Sequence, residues 1–178
     1  MQNLKNNCAY IDGANLHKGI EELGWHLDYF RLHSWLIQKY QINRAYIFLG
    51  YVADNKRLYQ KLRRAGFVLV FKSLTFLADG KFKGNCDAEL VLQAVVDYYE
   101  NRFNQAILIS GDGDFACLAM FLLTNKVLKT IVAPNKSSCS YLIKRIQPPL
   151  LFLDYFKEKL AIKRKSPRYG KTVQGSFS

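Results

Sequence analysis

Short apolar runs that alternate with longer helical patterns constrain the fold of this 178-residue chain most strongly. Each run is continuous, which is typical of strands buried on both faces of a parallel sheet. The helical stretches between the runs are long enough to carry the chain from one parallel strand to the next. The predicted strands are 8–12, 45–51, 67–71, 106–110 and 128–133, and the predicted helices are 14–23, 28–40, 54–65, 87–100, 114–124 and 138–145.

Length and composition favour one globular domain with a basic extension. We expect residues 1–162 to form the domain, because apolar periodicity is lost in the last stretch, "KRKSPRYGKTVQGSFS". Residues 163–178 are therefore predicted to be a disordered basic tail. The longest apolar run, 116–123, is too short to cross a membrane. Four scattered cysteines without a metal-ligand spacing are typical of reduced thiols, so a cytoplasmic location is expected.

The charge of the chain indicates a polyanionic partner. It has 26 Lys and Arg residues against 14 Asp and Glu residues, and half of the net charge of +12 lies in residues 157–178. Neutralised phosphates release counterions, which gives affinity without sequence specificity. Nucleic acid is favoured over an acidic membrane surface, because no convincing amphipathic anchor is present. The basic helix 54–65 is explained by a solvated face, with nucleic-acid contact as the alternative.

Acidic residues fall where predicted strands end and a helix begins. Asp12 ends the first strand, Asp112 and Asp114 follow the fourth, and Asp87 opens the fourth helix. In an open parallel sheet the functional crevice lies at the carboxyl ends of the strands. The acids converge there if the first and fourth strands are neighbours, and such oxygen ligands suit Mg²⁺ or Mn²⁺. Each acid could instead cap a helix, but a cap needs one acid and "GDGD" contains two. Asp97, in the middle of the predicted helix 87–100, is expected on a solvated face.

Three motifs together resemble the NYN domain family of PIN-like nucleases. They are "YIDGANL" (10–16), "KGNCDAEL" (83–90) and "LISGDGDF" (108–115), and the similarity spans about residues 7–135. The resemblance implies an α/β fold with three layers, in which helices cover both faces of a central parallel sheet of order 3-2-1-4-5. It also implies metal-dependent cleavage of RNA by an acidic cluster.

The resemblance assigns roles to individual residues. Those that match the family's acids are expected to be catalytic and to bind Mg²⁺ or Mn²⁺: Asp12, Asp87, Asp112 and Asp114. Asn15 and Ser110 match polar positions that orient a carboxylate, a water or a phosphate oxygen. Independently of the resemblance, the polar segment 74–86 is expected to form a hairpin or a flexible loop next to Asp87. Lys81 and Lys83 lie on this segment and are expected to contact the substrate backbone. Where many members have a further Asp, six residues after Asp87, this chain has Gln93.

The expected function is hydrolysis of RNA, with endonucleolytic cleavage favoured over exonucleolytic cleavage. The alternative is a catalytically weak RNA-binding module with the same fold. A phosphatase of the haloacid dehalogenase type is disfavoured, because Ala14 stands where that family needs a second Asp. No glycine-rich phosphate loop follows the first strand, so neither a nucleotide cofactor nor a haem is expected. The sequence leaves a homodimer open.

Overall fold

A computed structural model describes residues 6–72, 75–76, 82–83 and 86–163. Its strands are β1 (Asn7–Asp12), β2 (Ile42–Gly50), β3 (Val68–Lys72), β4 (Thr75–Phe76), β5 (Phe82–Lys83), β6 (Gln105–Ile109), β7 (Leu128–Ala133) and β8 (Leu150–Phe152). Six of them form one parallel sheet in the order β3-β2-β1-β6-β7-β8, and β4 and β5 form a separate antiparallel pair. The predicted parallel sheet is confirmed.

Helices cover both faces of the sheet. They are α1 (Gly13–Glu21), α2 (Tyr29–Tyr40), α3 (Lys56–Arg64), α4 (Asp87–Tyr99), α5 (Ala116–Thr124), α6 (Tyr141–Arg145) and α7 (Lys157–Leu160). Leucines of α1, α2 and α3 pack on one face in one buried cluster. Apolar residues of α4, α5 and α6 fill a second cluster on the other face. The result is the three-layer arrangement that the alternating pattern predicts.

The strand order brings the acid-bearing strands together. The predicted order 3-2-1-4-5 corresponds to β3-β2-β1-β6-β7 and is confirmed. Ile11 of β1 is paired with Ile109 of β6, so the chain leaves both strands at the same edge. The sixth strand, β8, was not predicted; it adds to the sheet beside β7. Asp12 and the "SGDGD" segment therefore lie side by side, as the strand order implied by the resemblance predicts.

Two other expectations fall partly outside the described residues. The polar segment 74–86 was expected to form a hairpin or a loop, and its described parts, β4 and β5, pair as a hairpin does. Lys81 and residues 164–178 lie outside the described residues. The disordered tail and the single-domain boundary at 162 therefore stay predictions. In the described part of the chain, no helix combines the length and apolar character needed to cross a membrane.

One expectation about an acid was wrong. Asp97 was expected on a solvated helix face, but it is 1% exposed. Its carboxylate accepts hydrogen bonds from the Tyr10 hydroxyl at 2.8 Å and from Gln93 Nε2 at 2.9 Å, and the Arg102 guanidinium lies 3.6 Å away. Burial of an ionised carboxylate is tolerated here because each of its oxygens has a donor and a cation is adjacent.

Candidate active site

Three carboxylates from three separate elements line one cleft at the carboxyl edge of the sheet. Asp12 is the last residue of β1, Asp87 is the first residue of α4, and Asp112 follows β6. The cleft has a volume of about 360 Å³, and Phe48 and Cys86 also line it. The structure therefore brings together three of the four acids that the sequence singled out.

Asp12 is both a helix cap and an acid whose pKa the cleft raises. Its Oδ1 accepts from the Asn15 backbone N–H at 3.1 Å, which caps α1, and its Oδ2 accepts from Ser110 Oγ at 3.3 Å. Burial raises the pKa of Asp12, and the carboxylates of Asp87 and Asp112 raise it further, although the two hydrogen bonds oppose the shift. The net effect is a raised pKa, so the folded structure disfavours the charged form of the Asp12 carboxyl group.

Ser110 and Asn15 fix the loop that carries Asp112. The Asp112 backbone N–H donates to Ser110 Oγ at 3.1 Å, so one hydroxyl contacts both Asp12 and the Asp112 backbone. The Gly111 backbone N–H donates to Asn15 Oδ1 at 2.9 Å, which joins α1 to the same loop. These contacts are those of residues that orient carboxylates; whether Asn15 and Ser110 also contact a substrate stays a prediction.

The "GDGD" segment also begins a helical turn. Asp112 Oδ1 accepts from the Asp114 backbone N–H at 3.1 Å and caps the 3-10 helix Gly113–Phe115. A Cβ at Gly113 would lie 2.5 Å from Ser140 Oγ, so glycine is needed for the close approach of the two segments. Capping therefore explains one oxygen of Asp112, and it coexists with the position of Asp112 in the cleft.

The fourth acid lies apart from the others. Asp114 is exposed and lines a second recess of about 360 Å³, on the other side of Asp112. Asp112 is shared by both cavities, whereas Asp12 and Asp87 line only the first. The structure thus separates Asp114 from the group formed by Asp12, Asp87 and Asp112.

Sequence reasoning missed two charged residues on α1. Lys18 lines both cavities, and Glu22 lines the second one. Asn15, Lys18 and Glu22 are spaced by three and four residues, so they share one helix face. Because Asn15 was already a candidate site residue, this helical spacing could have identified Lys18 and Glu22 from the sequence. Lys18 places a cation beside the acidic cleft, where a phosphate oxygen would need one.

The oxygen donors fit a hard divalent cation that keeps part of its water shell. Mg²⁺ usually binds through one or two carboxylates and retains several waters. Among the residues that the structure describes, no three His, Cys, Asp or Glu side chains converge tightly enough to hold a metal ion. Asp12, Asp87 and Asp112 therefore suit a partly hydrated ion, and they do not form a closed protein cage.

The remaining predicted residues lie beside the site or outside the described chain. Lys83 lies in β5, three residues before Cys86 of the cleft wall. Gln93 lines neither cavity, and its side-chain amide donates to Asp97 within α4. In this chain Gln93 therefore makes a contact within α4 and none in the cleft.

Comparison with known proteins assigns the family. The NYN domain model matches residues 8–146, so the chain belongs to the NYN domain family. This is a family of PIN-like nucleases, and the match supports a nuclease and hydrolase role. The solved structures that match include a protein of unknown function from Vibrio parahaemolyticus, at 20% identity and a TM-score of 0.73, covering 91% of this chain and 99% of that one. That likeness shows the fold. No curated protein matches the chain significantly.

Proposed function

We propose that this protein is a ribonuclease that depends on Mg²⁺ or Mn²⁺ and cleaves RNA internally. The observation that carries the proposal is that Asp12, Asp87 and Asp112 line one cleft in a chain of the NYN family. The pKa of Asp12 is raised first by burial and then by its two acidic neighbours, so a bound cation would favour the ionised form of this carboxylate.

The residues of the cleft have separate tasks in this proposal. Asp12 and Asp112 hold the ion, Asp87 completes the donor set, and Asp114 acts from the adjoining recess through water. A bound Mg²⁺ or Mn²⁺ supplies an activated water, neutralises phosphate oxygens and stabilises the leaving alkoxide. Ser110 and Asn15 keep the carboxylates oriented, and the Lys18 amine, which lines both cavities, contacts a phosphate oxygen of the bound strand.

A cleavage assay tests the proposal directly. Single-stranded RNA and DNA are incubated with the protein in Mg²⁺, in Mn²⁺ and in EDTA. Asp112→Asn and Asp12→Asn should lower RNA cleavage at least about 100-fold, because an amide is a poor ligand for Mg²⁺ and several kcal/mol of transition-state stabilisation are lost. Asn retains a cap oxygen, so both variants should fold.

The matched control is Asp28→Asn. Asp28 caps α2 through hydrogen bonds from the backbone N–H groups of Phe30 and Arg31, as Asp12 caps α1, but it does not line the acidic cleft. Asp28→Asn should therefore cleave at the wild-type rate. Equal loss in Asp12→Asn and Asp28→Asn would mean that the cap, and not the chemistry, had been measured.

The alternative function is an RNA-binding module without significant catalysis. The observation in its favour is that Gln93 stands where many family members have an acid, and that its amide is bonded to Asp97 within α4. RNA binding that persists in EDTA, together with no cleavage in either metal, would establish this alternative. Cleavage that stops in EDTA and in Asp112→Asn would exclude it.

A further inference from the structure

The exposed ring of Tyr51 stands at the border of the acidic cleft. We propose that Tyr51 and the cations of α3 form a stacking platform for single-stranded RNA that enters the cleft, an inference that rests on the proposed function. Tyr51 is 45% exposed and directly follows Gly50, which lines the cleft with Asp12 and Asp87. It lies three residues beyond Phe48, the β2 partner of Asp12, or roughly 10 Å further along the strand direction.

The ring of Tyr51 is held before any ligand arrives. It stacks on Tyr59 with centroids 5.9 Å apart and meets Phe71 edge-on at 5.6 Å. The Tyr59 hydroxyl accepts from the Val52 backbone N–H at 2.8 Å, which fixes the turn around Tyr51. Tyr51 remains 45% exposed although Tyr59 and Phe71 both contact its ring. A fixed ring loses little conformational entropy when a base stacks on it.

Charge identifies a nucleic acid as the occupant. The sequence of α3 contains five Lys and Arg residues and no acid. Within the described residues, none of these five cations takes part in an ion pair. The Arg63 guanidinium lies 5.9 Å above the ring of Phe71, so cationic and aromatic groups alternate on this surface. Phosphates would neutralise the cations while bases meet the exposed ring.

The class of nucleic acid follows from the ring. Proteins that bind single strands combine a basic surface with aromatic side chains on which unpaired bases stack. Bases of a duplex are already stacked on one another and cannot cover an exposed tyrosine without being unpaired. A second exposed tyrosine, Tyr99, serves as a comparison for Tyr51. Tyr99 is 70% exposed and ends α4, at the far end of that helix from Asp87, and Val96, three residues earlier, is also exposed.

Binding is measured by fluorescence anisotropy with a labelled oligouridine of about 12 nucleotides, within the usual site size. The buffer contains EDTA, so cleavage does not contribute. Tyr51→Ala should weaken binding at least about fivefold, the lower range for loss of a stacked aromatic ring. Tyr51→Phe should bind as the wild type, because the ring remains. Tyr99→Ala, the matched exposed tyrosine, should also bind as the wild type.

A second variant keeps the test independent of any local damage around Tyr51. Arg57→Gln, on the exposed surface of α3, should flatten the log–log salt dependence by roughly 0.7 for a lost phosphate contact on a single strand. Unchanged affinity in Tyr51→Ala, equal weakening in Tyr99→Ala, or an equal loss for a duplex of the same length would overturn the platform.

The two proposals fail separately. If Tyr51→Ala binds as tightly as the wild type while Asp112→Asn still abolishes cleavage, the platform is wrong and the nuclease stands. If Tyr51→Ala weakens binding and no metal-dependent cleavage is found, the platform stands and the nuclease is wrong. Asp112→Asn should bind the oligouridine in EDTA at least as well as the wild type.

Discussion

Asp12 is the last residue of the buried strand β1, and Asp97 of α4 accepts a hydrogen bond from Tyr10 in the same strand. The neighbours of these two acids differ in charge. Asp97 accepts from the Tyr10 hydroxyl and the Gln93 amide, and the Arg102 guanidinium lies beside it. Asp12 has hydrogen-bond donors as well, yet the charged groups that shift its pKa are two further carboxylates. No ion pair among the described residues involves Asp12 or Asp112.

The difference shows that two acids that meet the same strand can have unequal electrostatic surroundings. The charge of Asp97 is compensated by neighbouring side chains, so its contribution is to stability. The pKa of Asp12 is raised by burial and by two carboxylates, which costs stability when Asp12 is ionised and favours a nearby cation. Changes at Asp97 and at Asp12 should therefore have different consequences, and four measurements can break or sharpen this contrast.

The largest effect on folding is expected at Asp97. Asp97→Ala should lower the free energy of unfolding by roughly 2–4 kcal/mol, because the buried Tyr10 hydroxyl loses its acceptor and the core gains a void. Urea denaturation measures this loss. The cleavage rate per folded molecule should not change. Glu100→Ala is the matched control: it removes the exposed partner of the same Arg102 and should cost less than about 1 kcal/mol.

The next effect concerns metal binding near Asp12, the last residue of β1. Mg²⁺ or Mn²⁺ at a hundredfold excess over its dissociation constant should stabilise the wild type by about 2.7 kcal/mol, if only the folded state binds the ion. Thermal melting with and without EDTA measures the gain. Asp112→Asn should gain much less, and Glu100→Ala should gain as much as the wild type. An identical gain in Asp112→Asn would place the ion elsewhere.

Much of this contrast could be predicted from the sequence, because it depends on local patterns. Continuous apolar runs identified the strands of the parallel sheet, and Asp12 and Asp112 were placed at one edge by the ends of those runs. The strand β8 was missed because its apolar run of Leu150–Phe152 is short and directly follows two prolines. Such a run does not distinguish a strand from an irregular segment.

The error at Asp97 has a different cause. Leu90, Ala94 and Asp97 are the buried residues of α4 and follow helical spacing, so the pattern did place Asp97 on the inner face. The charge of Asp97 favoured a surface position in the prediction. The outer face of α4 was hard to recognise because it carries the exposed apolar or aromatic residues Leu92, Val96 and Tyr99. The contacts that make a buried acid acceptable there include one with Tyr10, 87 residues earlier. No local pattern contains that contact.

A smaller effect should appear when the charge of Asp12 is removed in the absence of metal. The pKa of Asp12 is raised in the folded state, chiefly by burial, so the folded protein binds this proton more tightly than the unfolded chain does. Stability then falls as pH rises through the window between the unfolded and folded pKa values. Asp12→Asn keeps the cap without this cost.

In EDTA at neutral pH, Asp12→Asn should therefore melt above the wild type, and the difference should shrink as the pH is lowered through the folded pKa of Asp12. Differential scanning calorimetry over a pH series measures both. Asp28→Asn, which alters the corresponding cap of α2, should show no gain. A lower melting temperature for Asp12→Asn at neutral pH would mean that the hydrogen bonds of the carboxylate outweigh its repulsion.

The smallest effect comes from His33, whose titration must be separated from that of Asp12. The pKa of His33 is lowered by burial, and its ring lies 5.0 Å from that of Phe67, edge to face. As the pH falls below about 6.5, the unfolded chain takes up a proton that the folded state accepts only at lower pH. Stability therefore falls with falling pH in this window, the opposite sign to Asp12. In the wild type the urea midpoint should decline as the pH is lowered from about 7 to about 6. His33→Gln should make this decline smaller, whereas Asp12→Asn should leave the decline unchanged. A decline that survives in His33→Gln would have to come from another group.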